Sequence, residues 1–141
     1  MLKNLPEVLG PDLLHLLASL GHGDELAIVD RNYPAWSTGQ RVVELRGIDA
    51  ITAADAILQL LPVDTFVDEP IIRMEVVDAP EEIPDVQREF LELVRRIEGR
   101  EVGMGSLSRF AFYDRVRTAF GVVVTTEPRP YGCFLVTAGV V

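Results

Sequence analysis

Cysteine and histidine are scarce in this 141-residue sequence, and their scarcity excludes several kinds of site. Cys133 is the only cysteine, so the chain cannot form an internal disulfide or a zinc site built from paired cysteines. Only two histidines are present, His15 and His22, which is too few for a histidine-rich metal cluster. We therefore expect no metal site.

Basic residues and long apolar runs are also few. Thirteen Lys and Arg residues against 22 Asp and Glu give a net charge of -9 at pH 7. An acidic surface repels phosphate backbones and anionic lipids, so neither nucleic acid nor a membrane is an expected partner. Prolines and acids at 6–12 interrupt the apolar N-terminus, and no stretch approaches the roughly 20 apolar residues of a membrane span. These patterns predict a cytoplasmic protein.

The sequence motifs of several enzyme classes are absent as well. There is no GxGxxG or Walker sequence, and the segment GMGSLS at 103–108 lacks the lysine of a phosphate-binding loop. There is also no GxSxG sequence that would place a nucleophilic serine on a sharp turn. What is present is an ordinary globular composition, with 48% apolar and 25% charged residues, which predicts a single domain over 1–141.

Apolar periodicity predicts that strands and helices alternate along the chain. Helices are predicted at 12–20, 51–61, 83–99 and 108–120, with Thr52 and Ser108 as N-caps. Strands are predicted at 25–30, 41–45, 70–77, 121–127 and 133–141, and a loop at 31–40. This order is typical of an α/β fold, a compact single domain with a mostly parallel sheet flanked by helices. The last two strands, joined by a short turn at Pro128–Tyr131, are predicted to form a C-terminal hairpin.

His22, which lies between two glycines, is the first candidate functional residue. The glycines let the backbone bend and approach a ligand closely, and an imidazole can accept or donate a proton near pH 7. Asp24 or Glu25 is placed to orient its ring. A surface-loop histidine without function is an equally good interpretation of the spacing. His15, on the polar side of the first helix, is interpreted as a solvated residue.

Asp30 and Arg109 are polar residues at positions where packing favours apolar ones. Asp30 ends a buried strand, where α/β proteins place ligand-binding groups, although it can also hydrogen-bond the following turn. Arg109 heads the predicted apolar stripe of its helix and lies in the first turn, where the helix dipole disfavours a cation. It either binds a ligand or extends to solvent. Tyr113, one turn later, can share a pocket wall with Arg109.

The segment PRPYGCF places the aromatic ring of Tyr131 beside the bare backbone of Gly132. Sugar sites use such a combination, because CH faces pack on aromatic rings while hydroxyls bond to main-chain and fixed polar groups. Taken alone, however, the segment is better explained as an ordinary hairpin turn.

Together, these segments resemble a known family. GHGDE followed by a strand ending in Asp30, then YPAWS, RFAFY and a terminal YG, is similar to the sugar mutarotase family of L-fucose mutarotase and D-ribose pyranase. The resemblance covers nearly the whole chain and is closer to the fucose branch. It implies a cytoplasmic, cofactor-independent isomerase with a compact α/β fold that assembles into ring-like homo-oligomers, often decamers.

The resemblance also implies roles for the polar candidates. The family's proton-donor histidine corresponds to His22, its sugar-binding acid to Asp30, and the residue at the head of its penultimate helix to Arg109. The resulting hypothesis is acid/base opening and closing of a free monosaccharide ring, with L-fucose or a related sugar as substrate. Tyr113 is a candidate for the second proton-transfer group. The alternative is a non-catalytic monosaccharide-binding accessory protein of sugar uptake.

A tyrosine–glycine–asparagine element of the family corresponds to Tyr131, Gly132 and Cys133, so cysteine replaces the expected asparagine. If the side chain at 133 contacts a sugar hydroxyl, the preferred sugar differs from L-fucose. If only the backbone contributes, the replacement changes nothing. Trp36, in the PAWS segment, is larger than the usual residue there and is expected to reshape the pocket.

The spacing of His22 and Asp30 raises a problem for a site within one chain. The eight steps between them span up to ~26 Å at roughly 3.3 Å per strand residue. Either the GHGD segment folds back sharply, or neighbouring chains contribute to each site. The ring assemblies implied by the resemblance favour the second arrangement.

Overall fold

Strands and helices alternate along the whole chain in the computed structural model, which describes residues 1–141. The strands are β1 (Glu25–Val29), β2 (Val42–Leu45), β3 (Ile71–Met74), β4 (Met104–Leu107), β5 (Gly121–Thr125) and β6 (Phe134–Thr137). The helices are α1 (Pro11–Ser19), α2 (Ala35–Thr38), α3 (Ala50–Leu58), α4 (Asp85–Glu98) and α5 (Arg109–Thr118). The predicted α/β class is confirmed.

The six strands form one mixed sheet in the order β2-β5-β1-β6-β3-β4. The pairs β2–β5, β5–β1 and β3–β4 are parallel, and β6 runs antiparallel to both β1 and β3. An antiparallel C-terminal strand is therefore present as expected. Its partners are β1 and β3, and β1 lies between β6 and β5, the strand that precedes the turn at Pro128–Tyr131.

The alternation of side chains along each strand builds two cores, one on each face of the sheet. Leu26 and Ile28 of β1 point towards α1, α3 and α4, in a core of 21 buried residues. Ala27 and Val29 point to the other face, where α2 and α5 cover a smaller core of 11 buried residues. Helices on both faces explain why β1 and β5 are apolar at nearly every position.

Three local predictions were wrong in detail. The N-cap of α3 is Asp49, whose Oδ1 accepts a hydrogen bond from the backbone N–H of Thr52 at 2.8 Å, so Thr52 is not the cap. Ser108, in contrast, is the N-cap residue of α5 as predicted, although its side chain accepts no capping hydrogen bond. The predicted loop at 31–40 contains the short helix α2, and β4 lies in a segment for which no strand was predicted.

None of the five helices has both the length and the apolar composition of a membrane-spanning helix.

Candidate functional site

A cavity of about 240 Å³ opens at the edge of the sheet where β1 and β3 end and β6 begins. Asp30 follows β1, Met74 is the last residue of β3, and Cys133 directly precedes β6. Because β6 is antiparallel to both strands, its start lies at the same edge as their ends. The structure thus brings together five candidates from the sequence: Asp30, Arg109, Tyr113, Tyr131 and Cys133.

Asp30 is the buried acid of this cavity, with 5% of its surface exposed. One carboxylate oxygen accepts a hydrogen bond from the backbone N–H of Asn32 at 3.0 Å, and the other accepts one from the Cys133 thiol at 3.4 Å. Burial raises the pKa of Asp30, and these two hydrogen bonds oppose that rise. The carboxylate is held rigidly, and lone pairs remain for a ligand hydroxyl.

The side chain of Cys133 forms part of the cavity wall. This is the position at which the family resemblance predicts an asparagine. The residue is buried, and burial together with the adjacent Asp30 carboxylate raises the pKa of its thiol well above the ordinary value. The thiol is therefore protonated and donates to Asp30. The side chain at this position therefore contacts the buried carboxylate of the cavity.

Arg109 and Tyr113 form the outer part of the cavity wall, on the first turns of α5. The guanidinium Nε of Arg109 donates a hydrogen bond to the Tyr113 hydroxyl at 2.9 Å, and this contact raises the pKa of Arg109. Tyr113 packs edge-on against the ring of Tyr33 at 5.3 Å. Arg109 is exposed, so it stands beside the buried residues of its helix without displacing them from the core. Its terminal amino groups are free to meet a ligand.

Tyr131 has a left-handed backbone, with φ of 64°. Its hydroxyl accepts a hydrogen bond from the backbone N–H of Val77 at 3.2 Å, which leaves its own hydrogen for a ligand. Gly132, the neighbouring candidate, does not line the cavity. A Cβ at Gly132 would lie 3.1 Å from Cγ of Glu127, so a larger residue there would require the Glu127 side chain to shift by a few tenths of an ångström.

His22 does not lie in this cavity. It lies at the opposite end of β1, beside a second cavity of about 550 Å³ with a mainly apolar lining. Its Nε2 is 3.0 Å from a carboxylate oxygen of Asp64, and its ring lies 5.0 Å from that of Phe66. Neither acid suggested by the sequence orients the ring, because Asp24 accepts from the backbone of Gly21 and Glu25 pairs with an arginine on α5.

Asp64 is a site residue that the sequence did not suggest. Its side chain is 2% exposed, whereas that of His22 is 44% exposed. Burial disfavours its charged form, but hydrogen bonds from the Phe66 backbone and from His22 outweigh burial and lower the pKa of Asp64. A buried, charged carboxylate therefore faces a half-exposed imidazole. The signal in the sequence was weak: one acid within an otherwise apolar LPVDTF segment.

The GHGD segment does not fold back along β1 towards Asp30. It forms a tight turn in which the N–H of Asp24 donates to the carbonyl of Gly21 at 3.1 Å, and Gly23 adopts a φ of 87°. The N–H of Gly23 then bonds to the carbonyl of Ala138 beyond the end of β6. The four steps within β1 alone span roughly 13 Å at about 3.3 Å per residue. In this structure, therefore, His22 does not reach a small ligand bound at Asp30 of the same chain.

Trp36 is placed outside the cavity. It is 70% exposed on α2, and its indole N–H donates to a carboxylate oxygen of Glu44 on β2 at 2.9 Å. It does not reshape the cavity of its own chain.

Nowhere in the chain do three or more His, Cys, Asp or Glu side chains lie together in a way that could hold a metal ion.

Comparison with known proteins gives consistent similarities over the full length. The sequence profile of the RbsD / FucU transport protein family matches residues 3–141. The chain is 36% identical to the L-fucose mutarotase of Actinobacillus pleuropneumoniae serotype 5b (strain L20) over 140 residues, 99% of this chain and 97% of that protein.

Solved structures show the same similarity. The fucose mutarotase of Streptococcus pneumoniae in complex with L-fucose superposes with a TM-score of 0.92 at 33% identity, covering 99% of both chains. The protein Atu2016, for which sugar binding has been suggested, superposes with a TM-score of 0.94 at 40% identity, covering 100% of this chain and 97% of that one.

Proposed function

Because this chain belongs to the RbsD / FucU transport protein family, we propose that it is an isomerase that interconverts the anomers of a free monosaccharide. L-fucose, or a closely related sugar, is the proposed substrate, since both the relative and the ligand-bound structure described above are fucose mutarotases. The observation that carries the proposal is the cavity at Asp30, which joins a buried carboxylate, a guanidinium and tyrosine hydroxyls.

The proposed reaction requires proton transfer and no change in oxidation state. The anomeric hydroxyl loses a proton, the bond between the anomeric carbon and the ring oxygen breaks, and the ring oxygen gains a proton. The resulting open-chain aldehyde rotates about one C–C bond and closes on its other face. A positioned acid/base group accelerates such a step by roughly 10²- to 10⁴-fold.

The cavity residues are proposed to bind and orient the sugar. Asp30 accepts a hydrogen bond from one hydroxyl, and the free amino groups of Arg109 donate to another. Tyr131 donates its hydroxyl hydrogen and offers a ring for the CH face of the sugar. Cys133 holds Asp30 in place. Tyr113 is the proposed second proton-transfer group, because its hydroxyl accepts from Arg109 and keeps its own proton available.

His22 is the proposed principal acid/base. Its Nε2 is engaged by Asp64, so Nδ1 is the ring nitrogen that remains for exchange with the sugar. Asp64 fixes the ring orientation and stabilises the imidazolium form when the ring takes up a proton. The half-exposed position of His22 leaves the ring accessible from outside its own chain.

We further propose that His22 serves a sugar bound by a neighbouring chain in a cytoplasmic, ring-like homo-oligomer. Its separation from Asp30 within one chain supports this arrangement. Apolar surface around His22 also supports it, because Phe66 is 72% exposed and Val140 is 55% exposed. Exposed apolar groups of this kind mark contact surfaces. The C-terminal Val140 and Val141 line the cavity beside His22 and can close a neighbour's site.

The alternative, a non-catalytic sugar-binding accessory protein of uptake, is favoured by one observation: the cavity of a single chain contains the binding groups but not His22. Saturation-transfer NMR on L-fucose, D-ribose and L-rhamnose separates the two functions. A mutarotase transfers saturation between α and β signals of its sugar at catalytic protein concentration. A binding protein changes the linewidths of the sugar signals without transfer, and that result would contradict the proposed activity.

A further inference from the structure

A buried polar pair lies behind the cavity and forms no part of its lining. Gln87 of α4 is completely buried, and Arg73 of β3 is 7% exposed. No carboxylate lies within ion-pair distance of Arg73. Its guanidinium instead donates to the side-chain oxygen of Gln87 and to the carbonyls of Pro80 and Glu82, at 2.8–3.2 Å.

The amide group of Gln87 connects this arginine to the cavity. Its Nε2 donates to the carbonyl of Met74 at 2.7 Å and to the carbonyl of Tyr131 at 3.0 Å. Met74 ends β3 and lines the cavity, as Tyr131 does. A single buried side chain thus joins α4, β3 and the turn before β6.

Stability alone does not account for these residues. A buried charge without a counter-ion is unfavourable, and replacing buried charged groups by apolar side chains of similar volume is often neutral or stabilising. The pair also donates to four backbone carbonyls on three segments of the chain, so its benefit includes holding those segments in place. Gln87 satisfies both amide hydrogens and its oxygen with three partners, two on β3 and one in the turn before β6, so its geometry is fully specified.

The segment that requires this support is Tyr131. Its left-handed φ of 64° is unfavourable for a residue with a Cβ and persists only where surrounding contacts fix it. Gln87 holds its carbonyl, while its hydroxyl is held by the N–H of Val77. Val77 belongs to the loop at 75–83, which Arg73 anchors through two carbonyls. The pair therefore controls both the backbone and the ring of Tyr131.

We propose that Gln87 and Arg73 are positioning residues that set Tyr131 and the 75–83 loop in the geometry that binds the sugar. That the bound molecule is a sugar rests on the proposed function. The placement of Tyr131 itself is a property of the fold that can be measured without a ligand.

Gln87→Glu is the discriminating variant. A glutamate keeps an acceptor for Arg73 and supplies its missing counter-ion, but it cannot donate to the carbonyls of Met74 and Tyr131. We expect amide hydrogen exchange in peptides covering 128–134 to accelerate at least tenfold, with β1 unchanged. We also expect KM for L-fucose to rise about tenfold while kcat changes less than threefold, because the lost contact stabilises bound substrate and transition state alike. Unchanged exchange at 128–134 and unchanged KM would overturn the proposal.

A double variant removes the pair altogether, and the location of any faster exchange separates a local positioning role from a general loss of stability. Arg73→Met with Gln87→Met replaces the pair by apolar side chains and leaves the carbonyls of Met74, Pro80, Glu82 and Tyr131 without these donors, so we expect a lower melting temperature together with faster exchange at 128–134 and unchanged exchange in β1. A double variant with the exchange of the parent would refute positioning. Gln59→Glu, an exposed position at the end of α3, is the control for the added charge and should match the parent. If the parent protein does not interconvert sugar anomers, the proposed function is wrong. Amide hydrogen exchange at 128–134 still tests the positioning role in that case.

Discussion

The ring of His22 is partly exposed, whereas its partner Asp64 is buried. A substitution of His22 can therefore change proton transfer with little effect on the stability of the fold. Removing its side chain costs little packing, because 44% of it is exposed and its contacts are Asp64 and Phe66. We expect His22→Ala to lower the rate of anomer exchange by about 10²-fold or more, the typical contribution of a positioned acid/base group. Sugar affinity should remain within a few-fold. NMR exchange rates and calorimetric titration measure the two quantities.

The chain offers a matched control in His15, the other histidine, which is exposed on α1. His15→Ala should leave both quantities unchanged. Exchange by the His22→Ala protein at the rate of the parent would remove His22 from the mechanism.

The thiol of Cys133 gives a second prediction for a single residue. An asparagine amide is a stronger donor than a thiol, and it can reach Asp30 while offering a further polar group to the cavity. We expect Cys133→Asn to preserve or increase the exchange rate on L-fucose. The exchange rates of parent and variant are compared on L-fucose and on a panel of other sugars.

A conservative partner variant sharpens this test. Cys133→Ser keeps a small donor beside Asp30, so it reports the loss of sulfur alone. A tenfold loss on L-fucose in Cys133→Asn, with no gain on any other sugar, would show that the position is not tuned to the sugar.

The cavity residues could be predicted from sequence because each has a local signal. Asp30 follows an apolar strand, Arg109 heads the predicted apolar stripe of its helix, and Tyr131 precedes a glycine. Asp64 could not be predicted as the partner of His22, because 42 residues separate them. The two meet because the Asp64 N–H bonds to the carbonyl of Thr137, the last residue of β6, a pairing that exists only in the folded chain.

At the scale of elements, Glu127 connects β5, α3 and the turn that leads to the cavity. It is 1% exposed, and its carboxylate accepts from the N–H of Ala50 at the start of α3 and from the backbone and guanidinium of Arg129. Glu127→Gln removes the charge and leaves some of these donors without an acceptor. We expect a loss of about 2 kcal/mol in the free energy of unfolding, below the full value for a buried pair because Arg129 is partly exposed.

The pH dependence of stability checks the same contact. Burial disfavours the charged form of Glu127, but the hydrogen bonds from Arg129 outweigh burial and its pKa is lowered from the ordinary 4.5. A lowered pKa contributes stability that is present above the ordinary value and is lost as the pH falls through the folded value. Urea unfolding between pH 7 and pH 3 should therefore show a smaller acid-dependent loss in Glu127→Gln than in the parent. An equal loss in both proteins would place the acid-sensitive contact elsewhere.

Long apolar elements were predicted well, and pairing-dependent ones were not. The helices α1 and α4 have a clear apolar period, and the strands β1 and β5 are continuous apolar runs, so all four appear near their predicted bounds. β4, in contrast, has the sequence MGSL, which has no such period; it is a strand because β3 offers a free edge. The place of β6 between β1 and β3 is likewise decided by tertiary packing.

At the scale of the whole molecule, the sheet separates two groups of functional side chains. Asp30 and the cavity lie at the ends of β1 and β3, whereas His22 and Asp64 lie beyond the opposite end of β1. A straight central strand fixes this separation, so no small movement of the GHGD turn can close it. Exposed apolar residues surround the His22 end, where a neighbouring chain can dock. In the proposed homo-oligomer, each site would combine the His22 end of one chain with the Asp30 cavity of the next.

Mixed oligomers test this arrangement. His22→Ala and Asp30→Ala chains, each inactive alone, are combined in equal amounts and allowed to exchange subunits. If His22 of one chain serves a sugar held by Asp30 of the next, half of the sites have a native histidine and, independently, half have a native aspartate. About a quarter of the sites then carry both, and activity should return to about that fraction of the parent. Subunit exchange is verified by mass spectrometry with isotope-labelled chains. No recovery after verified exchange would mean that both residues serve the sugar from the same chain, and that the chain rearranges at the GHGD turn when it binds.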